Sequence, residues 1–277
     1  MSAPSTRGDF ALDRRLLGIA ALAAIIGAIA TVGAVALLDL IHFFTNVFFF
    51  QKASIANTSP AANTLGAWVI VVPVIGGLIV GLLARFGSDK IRGHGIPEAI
   101  EAILFGKSRM SAKVAVLKPL SSGIVIGSGG PFGAEGPIIM TGGAIGSLIA
   151  QYFHLTAAER KALLVAGATA GMTAVFGTPV AAVLLAVELL LFELRPRSLL
   201  PVALACAVAG FTRPLLMAPG PLFPLATAAP ALVALPSCIA AGLLCGVLSA
   251  ALKLVARARR TTGGMPARST SRSRRRS

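Results

Sequence analysis

The segment Gly127–Gly146, G-S-G-G-P-F-G-A-E-G-P-I-I-M-T-G-G-A-I-G, decides the fold of this chain. With histidine taken as neutral, Glu135 is the only charged residue between Lys118 and Glu159. A lone carboxylate in an apolar span long enough to cross a bilayer is energetically costly, and such residues usually have a function. Glycines on both sides of Glu135 let backbone segments approach closely, and Pro137 suits the first turn of a helix. The pattern predicts a glycine-rich loop followed by a helix whose N-terminus carries Glu135.

Two interpretations of Glu135 follow from this position. The N-terminus of a helix binds anions because its first N–H groups are unpaired and its dipole end is positive. Glu135 could therefore be a tethered anion that occupies the site of a mobile anion until it is protonated or displaced. Alternatively, it caps its own helix, as acidic residues in first turns often do. The cost of a charge in an apolar span favours the first interpretation.

The composition excludes a soluble domain. Of the 277 residues, 56% are hydrophobic and 13% are charged, and the mean hydropathy is +0.84. These values predict an all-α, multi-pass protein of the cell membrane whose surroundings are the lipid bilayer. The formal net charge of +15 is concentrated in loops and in an arginine- and serine-rich tail. Beside a membrane span, such a tail is more typical of contact with anionic lipid than with nucleic acid.

No pattern of an enzyme or of a metal site occurs in the sequence. The histidines are scattered, no serine lies beside a base, and no lysine follows the glycine-rich loop as in a phosphate-binding loop. The cysteines lie in apolar segments without the spacing of metal ligands, which predicts small core residues: Cys206, Cys238 and Cys245. We therefore expect neither enzymatic activity nor a bound metal or cofactor.

Charge-free segments divide the chain into a cytoplasmic N-terminus (1–15), a transmembrane domain (16–256) and a basic disordered tail (257–277). Leu16–Leu38 would form roughly 34 Å of helix, enough to span a bilayer, with Asp39 at or beyond the far interface. Further apolar segments predict the remaining membrane helices: Leu65–Ala84, Ala112–Ile126, Glu135–Tyr152, Ala157–Val175, Pro179–Leu194, Leu199–Leu216 and Leu232–Val255.

The loop charges predict the orientation. The segment Arg85–Lys118 is rich in lysine and arginine, so the positive-inside rule places it in the cytoplasm together with both chain ends. Gln51–Thr64 and Met217–Pro230 carry almost no charge and are expected outside.

A second glycine motif, Gly93–Glu98 (G-H-G-I-P-E), lies within the basic segment. Pro97 at a first helical position and Gly106 at the end delimit a helix of about ten residues, which is too short to span the membrane. We expect a re-entrant half-helix whose N-terminus points into the membrane, where non-helical backbone must line a cavity or be buried in protein. His94 could donate a ring N–H to an anion there, or could be an ordinary loop histidine.

These motifs resemble those of the CLC family of voltage-gated chloride channels and proton-coupled chloride exchangers. G-H-G-I-P-E, then G-A-E-G-P, then the run Gly167–Glu188 occur in the family's order and at its separations. The resemblance extends from about Leu16 to Arg257 and implies the first of the two inverted repeats of a CLC-type channel. It further implies transport of chloride or a similar anion and a homodimer.

Carried over residue by residue, the resemblance assigns Glu135 as the gate. His94 replaces the serine that contacts the central anion in the family, and Ala134 replaces the usual basic residue. The resemblance implies that the anion is held by residues of the two motifs: Gly93, His94, Gly95, Ile96, Pro97, Gly133, Ala134, Gly136 and Pro137.

Two alternatives stay open from the sequence. The inner proton-relay glutamate of the exchangers aligns with Leu189, which favours a channel-like or uncoupled member, although the adjacent Glu188 could carry a proton path instead. The motifs of the family's second half do not follow the last span. The chain is therefore expected to act as an anion channel or transporter or, alternatively, as a truncated, non-conducting fragment that needs a second half or a partner chain.

Overall fold

The computed structural model describes residues 14–88, 91, 93, 95–217 and 235–262. Within these ranges the chain is helical and contains no β-strand, which confirms the predicted all-α class. The α-helices are α1 (Arg14–Phe50), α2 (Val71–Phe86), α3 (Ile96–Leu104), α4 (Ala112–Gly127), α5 (Glu135–Gln151), α6 (Ala157–Phe176), α7 (Pro179–Leu185), α8 (Pro196–Leu216) and α9 (Leu235–Thr262). Two 3₁₀-helices, Pro60–Ala62 and Gly66–Ile70, precede α2, and a π-helical turn, Ala186–Leu191, follows α7.

Four of the predicted membrane spans are confirmed as helices that are long and apolar enough to cross a membrane within the part of the chain described. They are Arg15–Phe50, Gly66–Phe86, Pro196–Leu216 and Leu235–Val255. The predicted N-terminal segment up to residue 13, the outer loop from residue 218 and the tail from residue 263 lie outside the described residues.

The first helix is longer than the sequence indicates. The predicted span ended at Leu38, but α1 continues without interruption to Phe50. Polar side chains of this extension bond to carbonyl groups: Thr45 Oγ1 donates to Ile41 O, and Asn46 Nδ2 donates to His42 O, Ser54 O and Ala56 O. Because these polar groups are satisfied, they do not break the helix, which ends just before Gln51 at a φ of +51°.

Small residues set how closely the helices of the first compact unit, Met1–Leu222, pack. A Cβ atom added to Gly142 of α5 would collide with the carbonyl oxygen of Gly167 in α6, and one added to Gly146 would collide with Leu163 O. Such close backbone contact is the main source of helix association in lipid, where apolar surface gains little from burial. Helix α6 also packs against α1 and α8 and forms the centre of this unit.

The second compact unit, Phe223–Ser277, contains α9. The apolar part of this helix, Leu235–Val255, matches the predicted last span, and the helix continues to Thr262. Its two cysteines, Cys238 and Cys245, are exposed, in contrast to the core positions predicted for all three cysteines, whereas Cys206 of α8 is buried.

Candidate functional site

The two glycine motifs meet in space. Gly95, immediately before α3, has a φ of +109°, a conformation that favours glycine. A Cβ atom at this position would lie 2.6 Å from Gly136 O and 3.0 Å from Met140 Cγ of α5. Gly95 is therefore required both by its backbone angle and by the close approach of α5. The contact brings the N-termini of α3 and α5 to one place, which we term the convergence site.

The N-terminus of α5 carries Glu135 as its first residue, as predicted. The N–H of Ile138 donates to Ala134 O at 3.0 Å, which closes the first turn. Pro137 has no N–H. The N–H groups of Glu135 and Gly136 lie in the first turn, where helix geometry provides no acceptor within the helix. Gly136 and Pro137 are buried, whereas Glu135 is exposed.

The carboxylate of Glu135 does not cap its helix. Within the described ranges it accepts no hydrogen bond and forms no ion pair, and α5 has no side-chain cap. It lies instead over the preceding loop, since a Cβ atom at Gly133 would be 2.8 Å from Glu135 Oε2.

The start of α3 is fixed by an acidic residue one turn further on. Glu98 Oε2 accepts the N–H of Gly95 at 2.8 Å, and the same side chain fills the space beside Gly93, whose φ is +86°. The N–H of Ala99 donates to Gly95 O at 2.9 Å and begins the helix. Glu98 therefore ties the backbone at Gly93 and Gly95 to the first turn of α3.

Lys118 of α4 also bonds to the backbone that precedes α3. Its side chain is buried, with only 2% of the residue exposed, and Nζ donates to Ile91 O at 3.0 Å and to Gly93 O at 2.8 Å. Lys118 lies in α4, within the helix predicted from Ala112 to Ile126, although the sequence also counted it as the last basic residue of the segment predicted to be cytoplasmic. An ammonium group can be buried there since two carbonyl oxygens accept its hydrogen bonds.

A cavity of about 610 Å³ connects the two motifs. It lies beside α2 and α4 and is bordered by residues that include Gly93, Lys118, Phe132, Gly133 and Pro137. Lys118 is the charged residue in this lining, and the nearby Glu98 carboxylate offsets part of its positive charge.

Not every predicted site residue can be assigned to this arrangement. His94 lies outside the described residues. Glu188 is exposed on the π-helical turn and does not line the cavity, although that turn packs against α3. The predicted helix Pro179–Leu194 ends earlier than expected, because the π-helical turn replaces its second half and Phe192 adopts a φ of +56°.

Comparison with known proteins identifies the family. Residues 76–265 match the family of voltage-gated chloride channels. The match covers more than half of the chain, so the chain belongs to this family. It is a multi-pass membrane protein of the group that contains chloride channels and chloride–proton exchangers.

Individual relatives give the same assignment. The chain is 32% identical over 158 residues to the voltage-gated ClC-type chloride channel ClcB of Yersinia pseudotuberculosis. This alignment covers 56% of this chain and 38% of the relative. It is 32% identical over 143 residues to the H⁺/Cl⁻ exchange transporter ClcA of Vibrio campbellii, covering 50% of this chain and 30% of the relative. The chain thus spans about a third of the length of these curated relatives.

A solved structure supports the fold. The chain superposes on a slow cyanobacterial Cl⁻/H⁺ antiporter with a TM-score of 0.63 and 22% sequence identity. The superposition covers 86% of this chain and 55% of the antiporter chain. The predicted fold, a membrane helical repeat of the CLC type with short half-helices, is thereby confirmed.

Proposed function

We propose that this chain forms part of the chloride pathway of a CLC-type channel or transporter, with the anion held at the convergence site and Glu135 as its gate. The observation that carries the proposal is the contact of Gly95 with Gly136 O, which joins two helix N-termini. One helix N-terminus is a weak anion site, but two that converge offer several unpaired N–H groups and two positive dipole ends.

In this proposal the anion is bound mainly by backbone groups. The first turns of α3 and α5 supply N–H donors, and Lys118 adds a positive charge in the cavity wall. The residues that we propose to form the binding site are Gly93, His94, Gly95, Ile96, Pro97, Gly133, Ala134, Gly136 and Pro137. An imidazole at position 94 would be a bulkier and titratable donor than a hydroxyl, so it would alter the choice of anion.

We infer the gating role of Glu135 from the lack of hydrogen bonds to its carboxylate within the described residues. Since this group accepts no hydrogen bond within the described part of the chain, it can move to the positive end of α5 and compete there with a mobile anion. Protonation removes its charge and therefore its ability to compete. Glu188 is the residue that we propose for a proton path, should the protein couple chloride to protons.

The Glu135→Gln variant should bind chloride more tightly than the wild-type chain at neutral pH. The amide keeps the shape of the side chain but carries no charge, so competition for the site is lost. We expect about a tenfold gain in affinity, which corresponds to ~1.4 kcal/mol. Wild-type affinity should rise as the pH falls, because protonation of Glu135 has the same effect. Calorimetric titration of the purified protein with chloride at several pH values measures both effects.

The matched control is Glu101→Gln, which removes a carboxylate that is also exposed but does not border the cavity. This variant should keep the wild-type affinity and pH dependence. An unchanged pH profile in Glu135→Gln, or equal changes in the two variants, would refute the gating role.

The second candidate function is that of a non-conducting fragment that needs a second half or a partner chain. It is favoured by the exposure of the loop that leads into α5. Phe132 is 55% exposed, and Gly133 and Glu135 are exposed as well. Unpaired backbone groups at membrane depth cost several kcal/mol each, and transporters with two repeats complete a midplane site from both. We propose that a further surface covers this loop, whether from more of the same polypeptide, a partner chain or a second copy in a homodimer.

Vesicles that contain this 277-residue chain alone should therefore release little chloride. Efflux into chloride-free buffer measures the rate, and light scattering of the detergent-solubilised protein reports whether it is a dimer. Rapid, anion-selective efflux from a monomer would contradict the need for a further surface. The same efflux from a dimer would show that two copies complete the pathway.

A further inference from the structure

A second cavity, of about 460 Å³, lies at the opposite end of α5 from Glu135. Three arginines from separate parts of the chain border it: Arg15 from the start of α1, Arg109 from the loop between α3 and α4, and Arg160 from the first turn of α6. We term this cavity the arginine pocket. It lies on the face that the positive-inside rule predicts to be cytoplasmic.

The positive charge of the arginine pocket is only partly compensated. Glu159 pairs with Arg15, whose Nε donates to Oε1 at 2.6 Å and whose Nη2 donates to Oε2 at 3.0 Å. The same carboxylate accepts the N–H of Thr156 at 2.7 Å. These bonds join Glu159 to Arg15 and Thr156, and within the described residues Glu159 accepts no hydrogen bond from Arg109 or Arg160.

Arg109 and Arg160 retain unused donors. Arg109 is exposed and forms no hydrogen bond or ion pair through its side chain within the described ranges. Arg160 donates one bond, from Nη1 to Leu155 O at 3.0 Å. Its Nε is buried and has no hydrogen-bond partner among the residues described. A buried donor without a partner is costly, which indicates that a ligand or water completes it.

The chemistry of the arginine pocket fits a phosphate group. Guanidinium groups bind phosphate oxygens through paired, charge-assisted hydrogen bonds, and they are less strongly hydrated than ammonium groups. Two or three arginines around one cavity can surround a single phosphate without a metal ion or a soluble cofactor.

The rim of the pocket points to a lipid as the source of that phosphate. Tyr152 is 86% exposed and Phe153 is 48% exposed, and both border the cavity at the end of α5. Exposed aromatic side chains at the ends of membrane helices are typical of the membrane–water interface. Basic pockets between membrane helices on the cytoplasmic side bind anionic headgroups. We propose that the arginine pocket binds the phosphate headgroup of an anionic phospholipid.

The test uses the full chain in detergent, titrated with phosphatidylglycerol and, separately, with phosphatidylcholine. Retained lipid is counted by native mass spectrometry. Phosphatidylglycerol should bind more tightly, and Arg109→Gln should weaken its binding about fivefold, the effect of one basic residue near an anionic headgroup. Arg109→Lys keeps the charge but loses the paired donors, so its affinity for phosphatidylglycerol should lie between those of the wild type and Arg109→Gln.

Lys113→Gln is the matched control. Lys113 is an exposed residue in the first turn of α4, on the same face, and it does not border the arginine pocket. It should leave lipid binding unchanged. If Arg109→Gln and Lys113→Gln lost equal affinity for phosphatidylglycerol, the attraction would be a diffuse property of the surface and the proposed site would be wrong. Wild-type affinity in Arg109→Gln would refute the site as well.

A competition arm separates lipid from free phosphate. Inorganic phosphate at the concentration of the lipid should not displace phosphatidylglycerol, since the acyl chains remain in the micelle beside Tyr152 and Phe153. Displacement at equal concentration would assign the pocket to free phosphate and refute the lipid. Because the Arg109 side chain forms no hydrogen bond or ion pair with the described residues, its variants should unfold at the wild-type temperature, and thermal unfolding of the same samples measures this.

Discussion

The Lys118→Met variant should have a free energy of unfolding lower by about 2–4 kcal/mol, as expected when two buried carbonyl oxygens lose a charged donor. Ile91 O and Gly93 O both accept hydrogen bonds from Lys118 Nζ, and methionine fills similar space without any donor. The loop that leads into α3 should then lose its fixed shape. Chloride affinity should fall as well, because the cavity loses its positive wall.

Reversible unfolding in mixed micelles measures this loss of stability. Lys113→Met is the control, since Lys113 lies in the same helix but is exposed; it should change the free energy of unfolding by less than about 0.5 kcal/mol. Similar stability of both variants would mean that Lys118 is not needed to hold the loop from Ile91 to Gly93.

The second large effect is expected at the crossing of α5 and α6. Gly142→Ala should destabilise the protein by about 2 kcal/mol or more, because the added methyl group would collide with the carbonyl oxygen of Gly167 and force the helices apart. The separation would also displace the N-terminus of α5. Unfolding in mixed micelles and elution in size-exclusion chromatography report the two consequences.

The adjacent glycine provides a matched comparison. A Cβ atom at Gly143 would lie 3.5 Å from Leu164 Cδ2, an ordinary contact distance. Gly143→Ala should therefore be tolerated and could gain up to about 1 kcal/mol from the higher helix propensity of alanine. If the two alanine variants were equally stable, the claim that α5 and α6 are too close at Gly142 to admit a methyl group would be refuted.

Much of the local structure at the convergence site could be predicted from the sequence. Glycine, proline and acidic residues mark helix N-termini, and α3 and α5 begin at Ile96 and Glu135, close to the predicted positions. The shortness of α3 was equally predictable from Pro97 and Gly106. These features depend on neighbouring residues, so a local pattern suffices.

The contacts between distant segments could not be predicted in this way. The approach of Gly95 to Gly136 and the reach of Lys118 to Gly93 join residues that lie in different helices and loops. The positive-inside rule counts a lysine without regard to where its ammonium group finds acceptors, so it could not indicate that Lys118 is buried within α4. Only helix packing decides that this charge is buried.

The length of α1 shows the same limit. Asp39 suggested a membrane interface, yet the helix continues to Phe50, and Asn46 within this extension bonds to carbonyl groups of α1 and of the following loop. A polar residue ends a span only when its hydrogen bonds cannot be satisfied by the chain itself.

The central claim is that the N-termini of α3 and α5 form one anion site. Anomalous X-ray scattering from crystals grown in bromide locates the anion directly, because bromide replaces chloride and scatters strongly. We expect a peak at the convergence site, within hydrogen-bond distance of first-turn N–H groups of α3 and α5, and a stronger peak in Glu135→Gln. Bromide bound only elsewhere, with no peak at this position in either protein, would contradict the account.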